Sequence, residues 1–167
     1  MRSALAGLWG PHPVAFWLVL AACLYFVWMA VRLAGIDIRH HLLPNRIVYP
    51  SALAALVLLA GAALAAGDPG AALRTVSAGV VLFIAYLVLN LVYPAGLGLG
   101  DVKLAFVLGL YLGFTGWPAV FWATALAFVL AGLWGVVLLA SRRGTGNTAI
   151  PFGPFMLAGA AAVLVGG

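Results

Sequence analysis

Charged residues are scarce in this sequence. Only 7% of its 167 residues are charged, against about 25% in a typical soluble domain, and 66% are hydrophobic. This shortage excludes both a water-soluble globule and a disordered chain. A membrane-spanning helix needs about 20 apolar residues. We therefore predict an all-α, polytopic membrane protein with about six transmembrane helices, forming a single domain over residues 1–167.

Metal-binding and redox side chains are also few. Cysteine occurs once, at Cys23, which excludes an internal disulfide and any multi-cysteine zinc site. His40 and His41 follow Asp37 by three and four residues, but two adjacent histidines with one carboxylate are a poor ligand set. We expect no metal and no cofactor. The net charge of +5 comes from basic residues scattered between apolar runs, so we also expect no nucleic-acid partner.

Apolar runs predict the positions of the spans and their orientation. We predict helices over residues 14–34, 47–66, 73–93, 102–115, 117–140 and 150–166. Six of the eight basic residues lie at alternate connections, and these are Arg32, Arg39, Arg46, Lys103, Arg142 and Arg143. The positive-inside rule places these connections in the cytoplasm and both termini outside it.

Acidic residues are the scarcest charged type, and only Asp37, Asp68 and Asp101 occur. Asp68 lies in a Gly-Asp-Pro-Gly sequence, whose turn propensity explains it without any chemistry. Asp37 follows the first predicted span, and Asp101 precedes the fourth. Because two spans separate them, both carboxylates are predicted at the same, cytoplasmic, membrane face. An acid at the edge of the hydrocarbon is a functional candidate by default.

Each of these two acids also has a structural explanation. Asp101 could cap the helix that follows it, and Asp37 could pair with Arg39. Considered together, the two acids favour chemistry. Neighbouring carboxylates share a proton, so the ionised one can take a proton from water while the protonated one protonates a leaving amine. Such a pair hydrolyses a peptide bond without a metal or a covalent intermediate.

Three sequence motifs resemble those of one family of membrane proteases. The sequence Gly98-Leu99-Gly100-Asp101 matches the GxGD signature of intramembrane aspartyl proteases, and Val102-Lys103-Leu104 continues it as in the type IV prepilin peptidase family. The other two motifs, in family order, are Asp37-Ile38-Arg39 with Leu43-Pro44-Asn45, and Pro151-Phe152-Gly153-Pro154-Phe155.

The resemblance implies an aspartic endopeptidase of the cytoplasmic (inner) membrane with Asp37 and Asp101 as its catalytic residues. Its partners would be type IV pilin-like precursors, which carry a basic leader before an apolar helix, and membrane lipids. Cleavage would occur at the cytoplasmic face. Larger members carry paired cysteines linked to N-methylation, and this chain has only Cys23. It resembles the compact members that serve Flp/Tad-type pili or flagellin-like precursors, so we expect cleavage without methylation.

Other motif residues are expected to shape the backbone or the substrate cleft. Lys103 either tunes Asp101 or anchors a lipid phosphate, and Arg39 mainly sets orientation. Pro44 and Asn45 are expected to end the first cytoplasmic loop and cap the second helix. Glycines without side chains permit close approach of an extended substrate. The residues in this group are Gly98, Gly100, Lys103, Arg39, Pro44, Asn45, Pro151, Phe152, Gly153 and Pro154.

Two alternative functions fit a membrane protein with buried acids. Intramembrane carboxylates also carry protons, so the chain could be a subunit of a proton-coupled transporter. It could equally keep the peptidase fold as a non-catalytic partner in pilus assembly. The location of both acids at one predicted face, instead of across the bilayer, favours the peptidase.

Overall fold

The computed structural model describes residues 1–8, 10–40, 42–94, 96–141 and 151–166, without the side chains of residues 2–4. Every regular element in these ranges is helical, which confirms the all-α prediction. The elements are α1 (Arg2–Leu8), α2 (Pro13–His40), α3 (Asn45–Ala55), a π-helical segment (Leu56–Ala60), α4 (Gly61–Ala65), α5 (Pro69–Val92), α6 (Leu99–Thr115), α7 (Trp117–Ala140) and α8 (Gly153–Gly166).

Each of the six predicted spans coincides with a helix, although their bounds differ. The first predicted span corresponds to α2, which continues past residue 34 to His40, so Asp37 lies inside it. The second corresponds to a single helix, Asn45–Ala65, of which the middle part, Leu56–Ala60, is π-helical. Four helices are long and apolar enough to cross a membrane, whereas α6 has 17 residues and α8 has 14. The count of six crossings and the orientation of the termini remain predictions.

The outer faces of the helices carry large apolar side chains. Trp17 and Leu24 of α2 are 62% and 66% exposed, and Phe121 and Trp122 of α7 are similarly open. Only 11% of the most apolar stretch of α7 is buried inside the structure. Contiguous apolar surface of this extent is unfavourable in water and suits contact with lipid tails. These faces fit a multi-pass membrane protein.

The tightest helix pair is α5 with α6, and small residues make it possible. A Cβ atom at Gly109 would lie 2.6 Å from the carbonyl oxygen of Ala78. One turn further along α6, a Cβ atom at Gly113 would lie 3.2 Å from the Cα of Thr75. Because the backbones approach this closely, no side chain fits between them. The pairing is antiparallel, so the end of α5 lies beside the start of α6.

Two charged side chains satisfy helix termini at the end of the bundle far from the start of α6. Asp68 caps α5, and its Oδ1 accepts a hydrogen bond from the backbone N–H of Ala71 at 2.8 Å. Arg74 donates to the carbonyl oxygens of Gly113 and Phe114 at 2.9 and 3.3 Å. These carbonyls are among the last in α6 and have no partner within that helix. Both charges therefore have structural roles in the described part of the chain.

Candidate active site

Asp37 belongs to the buried stripe of α2. Met29, Leu33 and Asp37 follow one another at intervals of four residues, the spacing that keeps side chains on one helix face. Met29 and Leu33 are fully buried, and Asp37 is only 5% exposed. The carboxylate thus lies where the pattern of α2 otherwise holds apolar core residues. Burying an acid there is costly, which marks it as a functional candidate.

Asp101 lies in the first turn of α6 and is 8% exposed. Its Oδ2 accepts a hydrogen bond from the backbone N–H of Gly98 at 3.1 Å. The structural alternative, in which Asp101 caps this helix, holds in a modified form: the N-cap residue is Gly98, and Asp101 takes part in the cap from the third position of the helix. From that position a carboxylate reaches back to the N-cap N–H group. This bond fixes the Asp101 side chain near the Gly-rich loop.

The fold brings the two acids to the same end of the bundle. Leu43, in the connection between α2 and α3, packs against a glycine near each acid. A Cβ atom at Gly100 would be 2.9 Å from the Cβ of Leu43, and one at Gly153 would be 3.5 Å from its Cδ1. Gly153 in turn contacts Asp37, and Gly100 precedes Asp101. Through these contacts the two acids lie at one end of the bundle although 64 positions separate them in the sequence.

The third motif forms one wall of this site. A Cβ atom at Gly153 would lie 2.6 Å from Oδ2 of Asp37, so only glycine fits there without displacing the carboxylate. Pro151, Phe152 and Pro154 are partly buried around it. Helix α8 begins at Gly153, three residues after the predicted start. The first turn of α8 thus lies directly against the acid of α2.

Lys103 joins two motifs but does not contact Asp101. Its Nζ donates to Oδ1 of Asn45 at 2.9 Å and lies 5.3 Å from the centre of the Tyr49 ring. Pro44 and Asn45 were predicted to cap the second helix, and the helix does begin there, but without a cap from the Asn45 side chain. The N-cap residue of α3 is Pro44, and that cap has no side-chain hydrogen bond. The Lys103–Asn45 bond ties the start of α3 to the start of α6.

Some predicted residues lie at the margin of the site or outside the described ranges. Arg39 and His40 are exposed in the last turn of α2. His41, Arg142 and Arg143 lie outside the described residues, so their predicted positions in cytoplasmic connections stay predictions. Within the described ranges, no group of three or more histidine, cysteine or acidic side chains could hold a metal ion.

Asn90 belongs to none of the three motifs and was not predicted as a site residue, yet it shapes the Gly-rich loop. This residue lies near the end of α5, and its Nδ2 donates a short hydrogen bond to the carbonyl oxygen of Leu97. The bond ties the loop before α6 to α5. A signal was present, because a lone amide inside an otherwise apolar span is expensive unless it is hydrogen-bonded.

The arrangement has the parts that acid–base chemistry requires. Two buried carboxylates come from different helices, and the exposed Gly98 lies beside one of them. One carboxylate can accept a proton while the other holds one, because like charges at close range do not both ionise readily.

Comparison with known proteins gives the family. The sequence profile of the type IV leader peptidase family matches residues 23–138, which include both acids. The chain belongs to this family. It is 34% identical over 153 residues to a prepilin leader peptidase/N-methyltransferase of Aeromonas hydrophila, covering 90% of this chain and 51% of that protein. An identically named protein of Pseudomonas putida is 36% identical over 143 residues, covering 83% and 48%.

A third relative of the same name, from Stutzerimonas stutzeri, is 31% identical over 147 residues, with 87% of this chain and 50% of that protein covered. The chain thus spans about half the length of the curated relatives that it matches. No solved structure matches it significantly. Family membership confirms the resemblance on which the sequence prediction rested.

Proposed function

We propose that the protein is a membrane-embedded aspartic endopeptidase that removes the basic leader from type IV pilin-like precursors. The observation that carries the proposal is the pairing of Asp37 and Asp101. Both acids are at least 90% buried, come from separate helices and lie at one end of the bundle. The three curated relatives described above are named as prepilin leader peptidases, and this supports the choice of substrate.

In the proposed reaction, one aspartate is ionised and the other is protonated. The ionised aspartate takes a proton from water, and the resulting hydroxide attacks the scissile carbonyl carbon. The protonated aspartate then gives its proton to the leaving nitrogen as the carbon–nitrogen bond breaks. The products are a carboxylate on the leader and a free amine on the mature precursor.

The substrate must be extended at the cut. A peptide bond within a helix is hydrogen-bonded to neighbouring turns, so its carbonyl is shielded from attack. Gly98, beside Asp101, is exposed, and a Cβ atom there would meet no atom closer than 3.6 Å, so a strand of substrate has room at this glycine. The missing side chains of Gly100 and Gly153 instead make room for Leu43 and for the Asp37 carboxylate. We expect the apolar helix of the precursor to remain in the membrane while the chain next to it unwinds.

The finer parts of the proposal concern location and product. We propose six crossings with both termini outside the cytoplasm, which places the aspartates at the cytoplasmic face of the cell membrane. The precursors are of the Flp/Tad or flagellin-like kind. Since Cys23 is the single cysteine and lies within α2, we propose that the new N-terminal amine leaves unmethylated.

A cleavage assay tests the proposal. The purified protein, in detergent or liposomes, is incubated with a precursor that carries a basic leader and an apolar helix, and mass spectrometry locates the cut and the state of the new amine. Asp37→Asn and Asp101→Asn should each lower the rate by about 100-fold or more, because each removes an acid–base group. Asp68→Asn is the matched control, since asparagine caps helices as well as aspartate does.

Each outcome of the assay bears on a different part of the proposal. Full cleavage by the Asp37→Asn or Asp101→Asn protein would remove that residue from the mechanism. A methylated product would contradict the proposed product. If the wild type cleaves none of several precursors while remaining folded, the transporter or the assembly partner becomes the better interpretation.

A further inference from the structure

Tyr86 of α5 lies at the candidate site although no motif includes it. The antiparallel pairing that places Gly109 against Gly79, continued by two helical turns, brings Tyr86 level with Val102 and Asp101. Its side chain is 2% exposed. The charge of Asp101 acts on its hydroxyl group. Tyr86 is therefore a buried polar group beside one of the two acids.

The ring of Tyr86 is held by two phenylalanines. Its centre lies 6.2 Å from that of Phe152 and 6.0 Å from that of Phe128, and these two rings are 5.1 Å apart. Phe152 immediately precedes Gly153, which contacts Asp37. The aromatic cluster Tyr86–Phe128–Phe152 thus connects α5 and α7 with the start of α8. Packing against these two rings limits the orientations that the tyrosine ring can adopt.

The hydroxyl of Tyr86 has no hydrogen-bond partner among the described residues. Tyr111 of α6 is also buried but differs in this respect, because its hydroxyl donates a hydrogen bond to the carbonyl oxygen of Ala22 at 3.0 Å. Although the Tyr86 residue is buried as a whole, its hydroxyl oxygen is not among the fully enclosed side-chain atoms that lack a partner in the described residues. It is therefore open to a ligand or to water, which generally supplies the partner of such a group. In the proposed reaction, the ligand that could accept a hydrogen bond from the Tyr86 hydroxyl is the substrate peptide.

We propose that the Tyr86 hydroxyl donates a hydrogen bond to the scissile carbonyl oxygen of the bound substrate. This inference rests on the proposed peptidase function. As water attacks, the carbon–oxygen double bond becomes single and its oxygen gains negative charge, which the donated hydrogen bond stabilises. Tyr86 keeps its proton throughout. The proton lost by water goes to one aspartate, and the leaving nitrogen receives its proton from the other.

Tyr86→Phe tests the proposal, because it removes the hydroxyl and keeps the ring. Removing one such donor lowers kcat by about 100- to 1000-fold in other hydrolases. We expect a loss of at least about 10-fold in kcat with KM changed by less than about 3-fold, since the bond strengthens in the transition state. The unfolding temperature should stay near that of the wild type, because no protein hydrogen bond is lost.

Tyr111→Phe is the matched control. It removes a hydroxyl that has a partner within the protein, so it should lower the unfolding temperature and leave kcat at the wild-type level. Wild-type kcat in Tyr86→Phe would overturn the inference. So would a fall in its unfolding temperature as large as that of Tyr111→Phe, which would show a structural hydroxyl. If the wild type itself cleaves no precursor, the proposed peptidase function is contradicted. If the wild type and Tyr86→Phe cleave it equally well, only the role of the Tyr86 hydroxyl is contradicted.

Discussion

Gly153→Ala tests the contact between the start of α8 and Asp37. The added Cβ atom would lie 2.6 Å from Oδ2 of Asp37, and ordinary contact begins at 3.4 Å. Either the carboxylate or the first turn of α8 must therefore move by about 0.8 Å. A displacement of about 1 Å in a reacting group can slow a reaction by about 100-fold.

We expect Gly153→Ala to lower the kcat of precursor cleavage by about 100-fold. Overpacking of this kind costs about 1 to 3 kcal/mol of unfolding free energy, so the protein should still fold. The assay compares initial cleavage rates with the thermal unfolding of the same preparation. Activity should fall far more than the folded fraction does.

The matched control is Gly132→Ala in α7, where an added Cβ meets no atom within 4 Å. Alanine favours a helix over glycine by up to about 1 kcal/mol, so this variant should be as stable as the wild type or slightly more stable, and fully active. If Gly153→Ala cleaved precursor at the rate of Gly132→Ala, the described contact with Asp37 would have no bearing on catalysis.

Two further predictions concern hydrogen bonds outside the pair of acids. Lys103→Met and Asn45→Ala break the same exposed hydrogen bond, so each should cost about 0.5 kcal/mol of unfolding free energy, the low end for a hydrogen bond. The double variant should cost no more than the larger single variant, and additive costs would contradict the bond. Arg74→Met loses its bonds to two carbonyls at the far end of α6 and should cost about 1 to 3 kcal/mol while cleavage by the folded protein stays normal. Slower cleavage would contradict the purely structural role of Arg74.

The sequence predicts the helices well because apolar runs and charged connections are strong signals. The six predicted segments coincide with helices, and the presence of two spans between Asp37 and Asp101 predicts that both lie at one end of the bundle. That prediction needs no knowledge of packing, since each crossing reverses the chain direction. The motif that contains Gly153 was predicted to shape the cleft, and the structure places it against Asp37.

Side-chain partners could not be predicted in the same way. Lys103 was expected either to act on Asp101, two residues away, or to anchor a lipid phosphate, and neither alternative included its bond to Asn45, 58 positions distant in the sequence. Asn90 and Tyr86 lie within an apolar span, and only the packing of α5 against α6 brings them to the site. The π-helical segment Leu56–Ala60 also has no clear local signal, because its residues suit an α-helix equally well.

The central claim, that Asp37 and Asp101 are neighbours, is tested most directly by cross-linking. In a Cys23→Ser background, which has no other thiol, Asp37→Cys is combined with Asp101→Cys and treated with a short bismaleimide. The reaction is carried out on the protein in the membrane. The loss of both thiols and the mass of an internal cross-link are then measured on the treated protein. We predict rapid internal cross-linking for this pair and none for Asp37→Cys with Asp68→Cys, since Asp68 caps the far end of α5. Equal failure of both pairs would contradict a shared site.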